Sequence, residues 1–292
     1  MCFGTLVLRT EQEKFEKEVY MKNDTSAHQP AELTPEQFQL ARKMEGLMDE
    51  MEKKVFDAAF KLNGTQDIQT KNFNYEAADY VVKVTRGSVV EKCGFMRTLV
   101  KKEMPPMMPE PLFNRYMQID LYPKTPLVGM LHIAMNFSYN KDGGNMVGGI
   151  MDITPGTIIE EDLNLVKDQM DKLFARHELD IDSFRAPLLK EHHKDHLKAS
   201  CVGVSFFKMP FFEIDEKTFT IVGESVETMF DSYLKVLTKR KDQEFSDSDT
   251  EAMFDMRRRW LEKQFMWDPF ASTGLAPYEV WSFQDLPPAV RF

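Results

Sequence analysis

Chemistry in this chain is readable first at His132 and Asp152. His132 sits inside an apolar, β-prone run from Leu127 to Tyr139, and Asp152 lies near the end of the run Met146 to Ile153, just before Thr154-Pro155. Between the two runs, Asn140-Lys141-Asp142-Gly143-Gly144-Asn145 is turn chemistry, because these residue types tolerate the positive φ of a tight reversal. The stretch therefore predicts a hairpin whose strands carry an imidazole and a carboxylate towards a common cleft. Gly148-Gly149 permits a bulge or a close backbone approach. An imidazole there can give or take a proton near neutral pH. The carboxylate can orient a cationic or N–H-rich ligand. Spacing alone equally allows a core histidine bonded to a carbonyl, and an aspartate that closes a turn or caps the next helix.

Two further clusters carry reactive residue types. In Glu191-His192-His193-Lys194-Asp195-His196 the outer pair His192 and His196 share one helix face. With Glu191 or Asp195 they could ligate a metal, but the pattern is not HExxH and no third ligand stands out, so a solvated helix face is the reading preferred and no metal site is assigned. Arg257-Arg258-Arg259 ends a helix. Arginines there suit bidentate grips on carboxylates, or pairing with the acidic loop Asp247–Asp249. No GxGxxG, Walker loop, GxSxG elbow or CxxC is present, which argues against a nucleotide, flavin or iron–sulfur cofactor.

The elements that must position these groups follow from periodicity. Residues 1–30 are polar after Leu8 and predict a loose N-terminal arm; residues 31–292 predict a single domain. Thr34-Pro35-Glu36-Gln37 starts a helix whose stripe runs Ala41, Met44, Met48, Met51, Val55, Ala59, Leu62 and closes at Asn63-Gly64. Strands are predicted at Tyr80–Val84, from Val89, and over Tyr116–Tyr122. Thr157 is the predicted cap of a helix with Leu163, Val166, Met170 and Leu173 inward. A helix from Phe184, a short strand near Cys201–Phe207, a helix starting near Glu224 and another over 251–265 follow, with short extended pieces to the end. A turn that joins neighbouring strands directly favours an α+β fold, an antiparallel sheet with helices on its faces.

The 292 residues carry a net charge of −10, which argues against general nucleic-acid or anionic-membrane binding. No apolar run is long enough to span a bilayer, and the acidic start does not read as a signal peptide. Three widely spaced cysteines, Cys2, Cys93 and Cys201, predict free thiols and a reducing, cytoplasmic setting.

Taken in order, several segments resemble the oxygen-dependent coproporphyrinogen III oxidases. Gly87-Ser88-Val89-Val90-Glu91-Lys92-Cys93-Gly94 resembles G-x-V-F-E-K-A-G, and Pro123-Lys124-Thr125-Pro126 with His132 resembles P-x-N-P-x-x-P-T-x-H-x-N-x-R. Val147 to Pro155 is similar to G-G-G-x-D-L-T-P, Arg257 to Glu262 to R-R-G-R-Y-V-E, and Glu279 to Arg291 to E-S-I-L-M-S-x-P-x-x-A-R-W. The resemblance implies a large antiparallel sheet sandwiched between helices, and a homodimer. It implies oxidative decarboxylation of coproporphyrinogen III to protoporphyrinogen IX, or of a close tetrapyrrole, with molecular oxygen as co-substrate and no agreed cofactor. It places His132 and Asp152 as catalytic residues, and Thr98, Ala134, Met135, Asn136, Arg257 and Arg259 as substrate contacts. The departures point elsewhere. Ala134 and Asn136 stand where the family has asparagine and the propionate-holding arginine. They keep two alternatives open: an oxygen-dependent oxidase of another substrate, and an inactive tetrapyrrole-binding paralogue.

Overall fold

A computed structural model of the chain describes residues 32–103, 109–191, 202–207, 213–264 and 277–291. The predicted arm, the histidines His192, His193 and His196, and Cys2 and Cys201 lie outside the described residues. The strands are β1 (Gln69–Asn74), β2 (Ala78–Thr85), β3 (Val90–Val100), β4 (Pro111–Pro123), β5 (Met130–Asn140), β6 (Met146–Thr154) and β7 (Val202–Ser205). They form one seven-stranded sheet in sequence order, antiparallel at every step. The helices are α1 (Pro35–Asn63), α2 (Glu160–Arg176), α3 (Asp182–Glu191), α4 (Glu216–Arg240), α5 (Asp247–Glu262) and α6 (Tyr278–Gln284). The fold is α+β, as expected.

Alternation along the strands decides the layering. Odd-numbered residues of the central strands, among them Met117, Ile119, Leu131, Ile133, Phe137, Val147 and Met151, are buried in one large core with residues of α1, α2 and α4. Even-numbered residues face the other way. There α6 lays Val280 and Trp281 on Tyr80, Val82, Val84 and Met96, while α5 lays Met256 and Trp260 on Tyr122 and Met130. The sheet is thus covered by helices on both faces.

Local chemistry accounts for the helix ends. The Thr34 hydroxyl accepts from the Gln37 N–H at 3.2 Å, and the Gln37 side chain accepts from the Thr34 N–H at 2.9 Å. Gly64 closes α1 with φ 66°, and its N–H donates to the Phe60 carbonyl at 2.8 Å. At α2 the expected cap is absent. Ile159 stands at the N-cap, and the Thr157 hydroxyl donates instead to Asp249 at 2.8 Å, tying α2 to the start of α5. Asp162, in the first turn of α2, accepts from Arg240 Nε at 2.7 Å and so joins α2 to the end of α4.

Other boundaries differ from the sequence reading. Helix α4 starts at Glu216, not near Glu224, because Asp215 caps it by accepting from the Thr218 N–H at 2.7 Å. Residues 278–284 are helical rather than extended, since Val280, Trp281 and Gln284 need one face against the sheet. Strand β1 is mostly exposed and was not legible as a separate strand.

The helix-covered core predicts a large penalty for truncation. Phe230 on α4 is fully buried within it. We expect Phe230→Ala to lower the unfolding free energy by about 3–5 kcal/mol, read from urea or guanidinium midpoints. A loss under about 1 kcal/mol would mean that this core does not close as described.

Candidate functional site

The site lies on the even-numbered face of the sheet, and strand register builds it row by row. Gly94, Asp120, His132, Asp152 and Gly203 are successive cross-strand partners from β3 to β7. His132 is therefore flanked by a carboxyl on either side. The next row is Met96, Gln118, Ala134, Ile150 and Ser205, and the one after is Thr98, Tyr116, Asn136 and Gly148.

His132 and Asp152 do converge. The imidazole Nδ1 lies 3.2 Å from Asp152 Oδ1, and the Thr154 hydroxyl donates to Asp152 Oδ2 at 3.1 Å. Asp152 is fully buried and His132 is 6% exposed. With its oxygens taken by these donors, Asp152 fixes the ring and favours the tautomer with hydrogen on Nδ1. Nε2 is then the acceptor, with no protein partner among the described residues. The Trp260 ring meets the imidazole edge-on at 5.0 Å between centroids.

A second acid centre, not anticipated from the sequence, adjoins the first. Trp260 Nε1 donates to Asp285 Oδ1 at 3.1 Å. Asp120 Oδ2 accepts from Gln118 at 2.8 Å and from Gln284 at 2.6 Å. The remaining oxygens, Asp120 Oδ1 and Asp285 Oδ2, have no hydrogen-bond partner, and the two buried acids act on each other's ionisation. Holding one acid protonated relieves the cost of burying two like charges together. Burial, reinforced by the Asp285 charge, raises the Asp120 carboxyl well above the usual carboxylate range. Burial raises Asp285 too, opposed by His132, Trp260 and Lys92. The Lys92 ammonium donates to the Leu286 carbonyl at 2.6 Å, and burial pulls its pKa down to about 8. The signal for Asp120 was the polar alternation Asn114, Tyr116, Gln118, Asp120, Tyr122 against Met117, Ile119, Leu121. It matches a similar alternation in β5.

The other sequence-predicted contacts divide. Thr98, Ala134 and Asn136 share the face of His132 and are buried. Met135 does not: it points into the helix-covered core, one residue out of phase with the site. Arg257 is 1% exposed and already engaged, donating from Nη2 to Glu91 at 2.7 Å and to the Pro123 carbonyl at 3.0 Å. It clamps the ends of β3 and β4 rather than presenting a free guanidinium. Arg259 pairs with Asp255 one turn earlier on α5. Among the described residues no group of three His, Cys, Asp or Glu side chains is placed to hold a metal ion.

Comparison with known proteins gives three results. The profile described as Coproporphyrinogen III oxidase matches residues 43–282. No curated protein matches. Among solved structures, a phytochromobilin synthase from tomato, determined in complex with biliverdin, is similar at 9% identity with a TM-score of 0.46, over 76% of this chain and 74% of that one.

The raised Asp120 carboxyl predicts a pH-dependent stability. A carboxyl whose folded pKa is raised contributes stability that is complete below its unfolded pKa, about 3.9, and is lost as pH rises through the folded value. Asp120→Asn replaces the acid with a near-isostere that stays neutral at every pH. We expect the wild-type urea midpoint to fall relative to that of Asp120→Asn between roughly pH 4 and 7. Parallel profiles for the two proteins would show that the Asp120 carboxyl is not raised.

Proposed function

The chain belongs to the coproporphyrinogen III oxidase family, and from that premise we propose that it oxidises a coproporphyrinogen-type tetrapyrrole with molecular oxygen. In the reaction a ring-bound propionate becomes a vinyl group. The carbon next to the ring gives up a hydride equivalent, the bond to the carboxylate breaks to release carbon dioxide, and the freed electron pair forms the double bond. Oxygen takes the hydride equivalent and one proton and leaves as hydrogen peroxide. The supporting observation is the His132–Asp152 pair, held at 3.2 Å on the polar face of the sheet. In this reading His132 exchanges the proton through Nε2, and Asp152 holds the ring and its tautomer.

The substituted grips favour a second reading within the same family. Ala134 and Asn136 replace an amide and a guanidinium, Arg257 is consumed by Glu91, and Arg259 is paired with Asp255. These favour a tetrapyrrole with fewer carboxylates than coproporphyrinogen III, or a protein that binds without turnover.

Incubation with coproporphyrinogen III with and without oxygen, followed by mass analysis, separates these readings. Loss of carboxyl groups only in oxygen supports the decarboxylase; binding without change of mass supports a binder. His132→Ala is expected to cut turnover by ~10²–10⁴-fold while the dissociation constant barely moves. Full activity in that variant would remove His132 from the mechanism.

A further inference from the structure

Asp152 holds His132 by a long contact, 3.2 Å from Oδ1 to Nδ1, at the upper end of the hydrogen-bond range. One bond of that length restrains the imidazole weakly against rotation about its Cβ–Cγ bond. The Trp260 indole supplies a second restraint. It is buried and meets the imidazole at 5.0 Å between centroids, with 61° between the planes. An indole confines its neighbour only if it is itself fixed, and a buried indole N–H needs a partner. Trp260 Nε1 finds one in Asp285 Oδ1 at 3.1 Å.

Asp285 is in turn pinned to the sheet along the chain on either side of it. Gln284 donates from Nε2 to Asp120 Oδ2 at 2.6 Å, and the Tyr122 hydroxyl donates to the Asp285 carbonyl at 2.5 Å. Lys92 donates to the Leu286 carbonyl at 2.6 Å. Gly94, the register partner of Asp120, makes room for this seat. A Cβ at Gly94 would lie 2.3 Å from Gln284 Oε1 and 2.8 Å from the Gln284 carbonyl oxygen. The second of these is backbone and cannot rotate away. The restraint on His132 therefore begins two strands away, at Gly94 on β3, and returns to β5 through residues 284–286 and α5. Reacting groups need their geometry kept to within about 0.5 Å, which neighbours achieve by locking one another's rotamers.

We propose that Trp260 is a positioning residue for His132, and that residues 284–286 serve it by holding Asp285 against the indole N–H. This role rests on the reading of His132 as the proton-exchanging group of a tetrapyrrole oxidase, and it names what orients that group besides Asp152.

Two measurements on the full chain test it. The first is turnover of coproporphyrinogen III in oxygen by the wild type, Trp260→Phe and Gly94→Ala. Trp260→Phe keeps an aromatic ring and loses the N–H; Gly94→Ala displaces Gln284 and Asp285 with it. Each is expected to lower kcat about 10-fold or more while KM stays within about 2-fold. The double variant should be little worse than the weaker single one, because both break one chain of contacts. The second is nitrogen NMR of protein labelled with 15N-histidine, the His132 signals being assigned by their loss in His132→Ala. The wild type should show the two well-separated ring-nitrogen shifts of a single tautomer, and both variants should draw them together as the ring leaves Asp152. Variants that melt earlier but keep the wild-type kcat or the wild-type nitrogen shifts would reduce Trp260 to packing and overturn the proposal. A raised KM at constant kcat would make Trp260 a substrate contact and overturn it too. If Gly94→Ala does not fold, Trp260→Phe, the milder change, decides. If the wild type turns nothing over, the tetrapyrrole reading falls, and the nitrogen shifts, which need no substrate, decide the role of Trp260 by themselves.

Discussion

Everything in this fold depends on one sheet keeping a polar face buried. In an ordinary two-layer arrangement, one face of an antiparallel sheet packs on helices and the other meets water. Here β5 is buried along its whole length, on both faces. The odd residues are apolar and need no further explanation. The even residues, His132, Asn136, Ser138 and Asn140 on β5 with Asn114, Gln118 and Asp120 on β4, must each find a partner or remain unsatisfied. Most do, through neighbours on the same face: Ser138 donates to Asn140, Gln118 to Asp120, and Thr154 to Asp152. The network holds His132 through Asp152, and the Trp260 ring packs edge-on against the imidazole.

Much of the scaffold was legible because local signals and tertiary packing agreed. The capping box at Thr34 and the glycine at Gly64 bound α1 as the residues suggest, and the Asn140–Asn145 turn joins β5 to β6. Legibility failed where a local signal was outcompeted or went unheeded. Thr157 had a good cap position but a better partner in Asp249. Asp215 was a sufficient helix start, and the acidic, threonine-rich turn after it hid that signal. The C-terminal segment, with prolines close by, looked extended; packing of Val280 and Trp281 on β2 and β3 makes it a helix.

The site divided along similar lines. A histidine and an aspartate on adjoining strands can be paired from the turn between them, since the turn sets the register. The same register shows why Met135 cannot join them: it is one residue from Asn136 and therefore on the opposite face. Asp120 and Asp285 could not be paired from sequence, because nothing local relates positions 164 or more residues apart in contact. Their union is a product of the fold. Arg257 looked available because its partner, Glu91, is likewise distant in the chain.

The braces at the C-terminal end have a consequence for how the molecule is made. Lys92 finds its acceptor at Leu286, Tyr122 donates to the Asp285 carbonyl at 2.5 Å, and Asp120 finds a donor in Gln284. These partners lie 194, 163 and 164 residues further along. A ribosome delivers the strands long before it delivers their braces, at about 5–20 residues per second. Until residues 284–286 clear the exit tunnel, the nascent sheet carries a buried-to-be lysine without its acceptor and an acid short of one donor. The polar face must stay hydrated through that interval, and the finished site is sealed only when residues 284–286 arrive.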